Sequence, residues 1–334
     1  MSALRVLQVG VGSVGRRRLQ ILGDLPGVVV SGAVDTAPDA RAAAQRLGAP
    51  WVGADLAEGL RQTQPNVVIV STPHALHQHQ VAAALAAGAH VLCEKPLGVN
   101  AAVVRELAAL AAGAERRLAM SRNHLHLPSV SAALALVRSG QIGTIGDVAT
   151  QVGHDRGASL TPWHRSAALS GGGCLRDNGA HALLIGHELW ALADDAASVA
   201  HTEHSESVED GDVDADVVAT LKSVSGRTLR LHVSWRFTDG YRFVVHIQGD
   251  RGELKIDGPV GLRHRNLGSP WRELAVDDLG PMTSWRRDTT DFLTFVTTGA
   301  GPAAHSAAAA LWTAEATDAL YRSATSAAPE PVLA

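Results

Sequence analysis

Three groups of residues in this chain have the types and spacing to do chemistry. The first is the glycine-rich turn Gly10-Val11-Gly12-Ser13-Val14-Gly15, which follows an apolar, β-branched run and opens a helical one. With that spacing Gly10 permits a tight turn, Gly12 lets the backbone approach a pyrophosphate, and Gly15 lets helix and strand pack closely. The helix start adds free N–H groups and a positive dipole end for phosphates. A second apolar run ends at Asp35, followed by Thr36; a carboxylate there accepts hydrogen bonds from adenosine ribose hydroxyls. The second group is Glu94-Lys95-Pro96, directly after the apolar run 89–93. The residue before a proline is biased to extended geometry, so Lys95 belongs at the carboxyl end of a strand. In an open parallel sheet that end faces the ligand crevice. The third group is Asp177-Asn178-Gly179-Ala180-His181, after three consecutive glycines, 171–173. On a helix Asp177 and His181 share one face, and a carboxylate that orients a histidine fixes its tautomer and raises its basicity. The same spacing describes a capping aspartate followed by a buried histidine, and spacing leaves both readings open.

These groups need elements to hold them. Strands are expected over 4–9, 28–34, 67–70, 89–93 and 117–121, alternating with helices over 16–22, 38–47, 74–87 and 101–112. Thr36 can cap the second helix and Asn100 the fourth. Such alternation implies right-handed βαβ crossovers and a parallel sheet, the context that the glycine motif requires. NAD is favoured over NADP, because a 2′-phosphate would meet the like charge of Asp35 and the next residues, Thr36 and Ala37, supply no arginine; Arg41 is the nearest. His77, at a helix start after Ser71-Thr72-Pro73, is placed to touch the cofactor.

From Asn123 the grammar changes. A helix is expected over 128–139 and a strand over 145–153, then a Gly/Pro-bounded stretch with Trp163-His164, which folds over the site or merely packs. A helix follows around 179–192, and then strands over 197–203, 217–223, 228–235, 242–248 and 253–256, joined by short turns as in a mostly antiparallel open sheet. Helices near 289–298 and 306–323 close the chain, with a frayed tail after 326. The fold class is therefore α/β: a Rossmann-type dinucleotide-binding domain, 1–122, and a second α/β domain with a large open sheet, 123–334. One helical layer leaves the other sheet face to cover, which predicts a homodimer or homotetramer.

Other function classes find no support. The formal net charge is −4 and no basic tract is present, which gives no electrostatic case for nucleic acid. No apolar stretch reaches the roughly 18–20 residues of a membrane span, and the N-terminus runs straight into a strand, unlike a signal peptide. Cys93 and Cys174 lie far apart, so a disulfide framework is not expected and a reducing cytoplasm is. His74, His77 and His79 open a helix without a cysteine or acid nearby, and His77 and His79 point to different faces, so no metal site is expected. In the acidic segment 209–216, the calcium-loop register needs glycine and glutamate where Ala215 and Leu221 stand, which leaves a solvated loop. Cys174 reads as small apolar filler.

Taken together, the glycine turn, Ala33-Val34-Asp35, Ser71-Thr72-Pro73-His74-Ala75-Leu76-His77, Gly88 through Leu97 and Gly171 through His181 resemble the glucose–fructose oxidoreductase / inositol dehydrogenase (Gfo/Idh/MocA) family over nearly the whole chain. The resemblance implies a nicotinamide cofactor contacted by the glycine turn, Asp35, Thr36, Ser71, Thr72, Pro73, His74, His77, Glu94, Lys95 and Asn123. It also implies a sugar, cyclitol or related substrate met by Lys95, Asn123, Trp163, His164, Asp177 and His181, and an open sheet that supports dimers or tetramers. Lys95, Asp177 and His181 match the family's catalytic positions, with His181 or Lys95 as the proton-transfer group. Glu94 positions Lys95 or the nicotinamide ribose. The chain departs from the family pattern at Leu184, at Trp163-His164 in place of a Trp-Arg pair, and at Arg176 and Asn178. Arg176 meets an anionic substrate or faces solvent. Rival readings are a redox-neutral, transient-oxidation enzyme with bound NAD and a non-catalytic sensor of NAD and sugar.

Overall fold

The computed structural model of the chain describes residues 3–192, 196–300 and 307–333. The chain divides into two compact units, Met1–Ser121 with Trp285–Ala310 and Arg122–Ser284 with Leu311–Ala334.

Among the described residues, the first unit holds a six-stranded sheet in the order β3-β2-β1-β4-β5-β6, from β1 (Leu4–Val9), β2 (Val28–Val34), β3 (Val52–Gly53), β4 (Val67–Val70), β5 (His90–Cys93) and β6 (Leu118–Met120). Every pairing in it is parallel. All four residues of β4, Val-Val-Ile-Val, are buried, as expected where helices cover both faces of a parallel sheet. The connecting helices are α1 (Ser13–Gly23), α2 (Pro38–Arg46), α3 (Leu56–Thr63), α4 (His77–Ala86) and α5 (Ala101–Gly113). Strand order reverses between β1 and β4, which opens a ligand crevice at their carboxyl ends. Asn100 caps α5 as expected, Oδ1 accepting from Val103 N at 2.9 Å. Thr36 does not cap α2: Ala37 occupies that position and Pro38 starts the helix. Sequence periodicity missed β3, only two residues long, and α3, which Asp55 caps through the Glu58 N–H.

Helix α10 (Thr283–Thr298) crosses the expected division of the chain at residue 122. Its Phe292 and Leu293 are buried in one cluster with Val6, Leu22, Val67, Ile69, Leu92 and Ala119, so most of the helix belongs to the first unit.

The second unit holds a nine-stranded sheet, order β14-β13-β12-β11-β7-β10-β9-β8-β15 among the described residues. Its strands are β7 (Ile145–Gly153), β8 (Ala197–Ser207), β9 (Asp214–Ser223), β10 (Thr228–Ser234), β11 (Arg242–Gly249), β12 (Gly252–Asp257), β13 (Gly261–Asn266), β14 (Arg272–Glu273) and β15 (Glu330–Pro331). The pairing of β7 with β10 is parallel, and the rest are antiparallel. One face alternates inward with Val148, Val152, Leu231, Val233, Phe243 and Val245, in one core with Leu183, Leu189 and Trp190. The latter lie on α9 (Gly179–Leu192), which follows α6 (Pro128–Arg138), α7 (Ala167–Ser170) and α8 (Cys174–Asp177). A Cβ at Gly186 would stand 2.1 Å from Leu229 Cδ2, so a larger residue there would have to displace the Leu229 side chain. The other sheet face carries exposed Ala149, Gln151 and Arg230. The tail is not frayed as expected: Glu330 and Pro331 pair with Ala200 and Val199 on β8. The expected helix start at Ser306 lies outside the described residues; α11 is described over Ala307–Ser326. No helix among the described residues is long and apolar enough to cross a membrane.

Phe292→Ala should destabilise the first unit by about 3–5 kcal/mol. Urea titration followed by tryptophan fluorescence would show its transition at lower denaturant, and an unmoved transition would remove Phe292 from that core.

Candidate active site

In the first unit the chemistry-bearing residues gather at the carboxyl ends of β1, β2, β4 and β5. Gly10 sits at φ 81°, and a Cβ there would stand 2.5 Å from Ser71 O. A Cβ on Gly15 would stand 2.0 Å from Gly10 O. Those two glycines are demanded by the fold itself. Gly12 is not: its φ is −69° and an added Cβ would meet nothing within 4 Å. The open space over Gly12 is what a pyrophosphate needs. Helix α1 starts at Ser13 and Val14 with no side-chain cap and no acid in its first turn, so its N–H groups and positive end remain for an anion. Gln8, a fully buried polar residue on β1, fixes the turn by donating to Gly10 O at 3.0 Å and Ser71 Oγ at 3.1 Å.

Asp35, at the end of β2, accepts from Val11 N at 2.7 Å and Ala37 N at 2.8 Å. A carboxylate has further lone pairs for ribose hydroxyls. Arg41 Nη1 donates to the main-chain carbonyls of Asp35 and Thr36 at 2.9 and 2.8 Å, bracing the same turn. The residues thus fit a dinucleotide: the glycine turn and α1 for its phosphates, Asp35 for its adenosine ribose.

Beyond β4, Thr72 Oγ1 donates to Gln80 Oε1 at 2.5 Å, and the chain passes Pro73 into a 3₁₀ turn, His74–Leu76. The rings of His74 and His77 stand 5.8 Å apart. His77 is fully buried, with Nδ1 2.8 Å from Pro96 O and Nε2 2.9 Å from Thr72 O. Rather than presenting its ring, His77 joins the Thr72 loop to the turn that carries Lys95. Burial lowers its pKa, against the pull of the two carbonyls, and the charge of Lys95 lowers it further. The Lys95–Pro96 peptide is cis. Glu94 accepts from Nη2 and Nε of fully buried Arg18, at 2.7 and 3.2 Å. Arg18 Nη2 also meets Asp288 Oδ2 at 2.6 Å and Ser121 Oγ at 2.7 Å, and its Nη1 meets Thr289 Oγ1 at 2.6 Å. Burial works to lower the Arg18 pKa, but the Glu94 and Asp288 charges outweigh it and hold it above the ordinary value.

In the second unit the triple-glycine turn is anchored by one carboxylate. Asp214 accepts from Gly173 N at 2.9 Å, Leu175 N at 2.7 Å and the Tyr321 hydroxyl at 2.7 Å. A Cβ on Gly173 would stand 1.8 Å from Asp214 O, and one on Gly172 2.1 Å from Tyr321 Oη. The Cys174 thiol lies 3.3 Å from Asp214 Oδ2; burial first, and that carboxylate second, push its pKa well up, so it stays a thiol. Asp177 ends α8, Asn178 keeps helical angles (φ −77°, ψ −33°), and His181 follows one turn on in α9. Asp177 Oδ2 accepts from Arg156 Nη1 at 2.9 Å. Arg156 Nη2 lies 2.9 Å from His164 Nε2. A guanidinium only donates, so that nitrogen is the acceptor; Nδ1 lies 2.6 Å from Thr161 Oγ1 and accepts from Thr161 N at 3.3 Å. Trp163 stacks on His164 with ring centroids 3.7 Å apart. Trp235 lies under the Arg156 guanidinium at 5.5 Å and donates to Asn178 Oδ1 at 2.7 Å.

His181, 5% exposed, stacks on His124, with ring centroids 3.5 Å apart and planes at 29°. His124 Nδ1 lies 3.2 Å from Asn123 Oδ1 and its Nε2 lies 2.7 Å from the Tyr241 hydroxyl. Burial, then the Asp177 charge, raises the Tyr241 pKa. The residue as a whole is 49% exposed.

Asn123, Trp163, His164, Asp177 and His181 therefore share the second unit, and the other expected contacts the first. Arg176 neither faces solvent nor stands ready for an anion: it is buried, paired with Asp318 at 2.7 Å and set against the Tyr321 ring at 5.3 Å. Asn178 is spent on Trp235, and Leu184 is core. The acidic segment is not all solvated loop, since Asp214 is buried. Sequence reading missed Gln8, Arg18, Asp288, His124, Arg156, Asp214 and Tyr241. Arg18 had a signal, falling on the buried face of α1 with Gly15, Leu19 and Leu22; Gln8 had one as a polar residue inside an apolar strand.

Comparison with known proteins agrees with this geometry. Residues 4–122 match the family model described as an oxidoreductase family with an NAD-binding Rossmann fold, and residues 130–255 match the GFO/IDH/MocA C-terminal domain. The chain belongs to the Gfo/Idh/MocA oxidoreductases. It is 31% identical over 199 residues to a 1,5-anhydro-D-fructose reductase of Ensifer adhaerens, covering 57% of this chain and 56% of that one. It is 31% identical over 178 residues to a trans-1,2-dihydrobenzene-1,2-diol dehydrogenase of Mus musculus, covering 52% of each. The matches thus span about half the length of these curated relatives. Among solved structures, GenD2 from gentamicin A biosynthesis, in complex with NAD, superposes with a TM-score of 0.88 at 27% identity, covering 100% of this chain and 97% of that one.

The contrast among the glycines can be tested. Gly12→Ala should fold with an unchanged melting temperature yet bind NADH at least about tenfold more weakly, a loss of about 1.4 kcal/mol. Gly10→Ala should lower the melting temperature. Unimpaired NADH binding in Gly12→Ala would mean that the phosphates lie elsewhere.

Proposed function

We propose that this protein is an NAD-dependent oxidoreductase that moves hydride between the cofactor and a hydroxyl or keto carbon of a sugar, cyclitol or sugar derivative. The observation that carries the reading is Gly12, a glycine with no steric reason in the fold, beside an uncapped helix start and Asp35. The names of the two curated relatives, a reductase of an anhydrosugar and a dehydrogenase of a cyclic diol, support the substrate class.

Bound NAD would supply hydride acceptor and donor chemistry at nicotinamide C4. The protein's part is proton handling and charge. His181 takes the hydroxyl proton in oxidation and returns it in reduction, since an imidazole can serve as base and as acid. Lys95 donates a hydrogen bond to the reacting oxygen and stabilises its alkoxide character. Asp177, held by Arg156, accepts from a neighbouring substrate hydroxyl. Trp163, stacked on His164, offers a flat face to a ring. Asp35 sets the preference for NAD over NADP. The exposed face of the second unit's sheet supports a homodimer or homotetramer, and two free, buried cysteines fit a reducing cytoplasm.

Reduced-nicotinamide absorbance should rise with NAD⁺ and one group within a panel of inositols, aldoses, anhydrosugars and sugar acids. Lys95→Ala should lose about 10²–10⁴-fold in kcat while still binding NADH. Unchanged kcat in that variant removes Lys95 from the mechanism. Silence across the panel with NADH bound favours a redox-neutral reaction. Asp35→Ser with Thr36→Arg should shift preference toward NADPH; if the ratio of NADH to NADPH affinity does not move, Asp35 does not read the ribose.

A further inference from the structure

We infer that His124 is a positioning residue for His181, held in that task by Asn123 and Tyr241; the inference rests on His181 being the proton-transfer group. The two imidazoles are in face-to-face contact, 3.5 Å between centroids. Such a contact fixes the plane of the His181 ring, a terminal torsion that is otherwise broad, and with it the direction in which its nitrogens point. His124 is itself fixed at both nitrogens. Asn123 Oδ1 accepts, so Nδ1 carries the hydrogen, and Nε2 then accepts from the Tyr241 hydroxyl. This pair of contacts is the one that a neutral Nδ1–H ring makes. Its π face favours a neighbouring imidazolium, the form that His181 takes once it has received a proton, whereas a second cation at that distance would oppose it. Phe243, edge-on to His124 at 5.1 Å, closes another side. A packing role alone needs a flat ring and has no use for two bonded nitrogens.

Imidazole proton–nitrogen correlation spectra of histidine-labelled, substrate-free protein test the arrangement. The His124 signal should show the Nδ1–H tautomer, and Tyr241→Phe should release it to a mixture. The His181 ring protons should lose an upfield ring-current shift in His124→Ala and regain it in His124→Phe. A wild-type Nε2–H tautomer at His124, or His181 signals indifferent to His124→Ala, overturns the inference. Kinetics with whichever panel substrate turns over add a double-mutant cycle. His124→Ala should cost about 10²-fold in kcat with the KM for NAD⁺ held within about twofold, His124→Phe should recover most of it, and His124→Ala should cost nothing further in a His181→Ala background. An equal further loss in that background means that His124 does not act through His181. Wild-type turnover by His181→Ala alone would instead defeat the assignment of His181, and is read separately.

Discussion

The first unit is organised around one buried guanidinium. Arg18 has no exposed surface and reaches five groups: Glu94 at the end of β5, Ser121 after β6, and Asp288, Thr289 and Trp285 O on α10. A buried arginine without partners is untenable, so each of these segments is held where it can satisfy the fork. This explains why a helix that begins at Thr283, far down the chain, returns to the first unit: Asp288 supplies a second carboxylate, while Phe292 on the same helix enters the apolar core. It also explains the first residue of Glu94-Lys95-Pro96. Glu94 points inward to Arg18, and the turn that carries Lys95 is clamped from its other end by His77 through Pro96 O. Because Arg18 lies one turn into α1, that helix and the lysine turn share one support.

The second unit solves the same problem with the opposite charge. Asp214 draws in two backbone N–H groups of the glycine turn, a phenol and a thiol. Charge-assisted bonds of this kind are stronger than neutral ones, and the close backbone approach that they require leaves no room for a side chain at Gly172 or Gly173. The turn fixes where α8 begins, and α8 leads directly to Asp177 and His181. In both units a buried charge therefore holds a segment a few residues from the side chains with chemistry, Glu94 in the first and Gly173 with Leu175 in the second.

What was legible in the sequence follows from this construction. The glycine turn, Glu94-Lys95-Pro96 and Asp177 with His181 are contiguous, and local rules of turn, strand end and helix face suffice to read them. Their partners are not contiguous: Arg18 and Asp288 are 270 residues apart, and His124 and Tyr241 are 117 apart. No periodicity connects such positions; only the folded topology does. The same limit explains the tail. Glu330-Pro331 is too short and too polar to read as a strand, yet as an edge on β8 it makes few demands of pattern, and a proline is tolerated there. Arg176 misled for a related reason, since its charge invited an anion while Asp318 waited on α11.

Motif residues and tuning residues thus obey different constraints. A reaction class needs specific atoms at specific places on the backbone, and short contiguous motifs deliver these. The surroundings of those atoms are set by side chains from whichever strands and loops pass nearby. Arg156, after β7, supplies the guanidinium that meets Asp177, and His164 Nε2 accepts from the same group. Trp235 and Asn178 then fix the plane in which Arg156 lies. These contacts keep the charge at Asp177 compensated. They come from positions that no contiguous motif marks, and so from the part of the site that only the folded chain brings together.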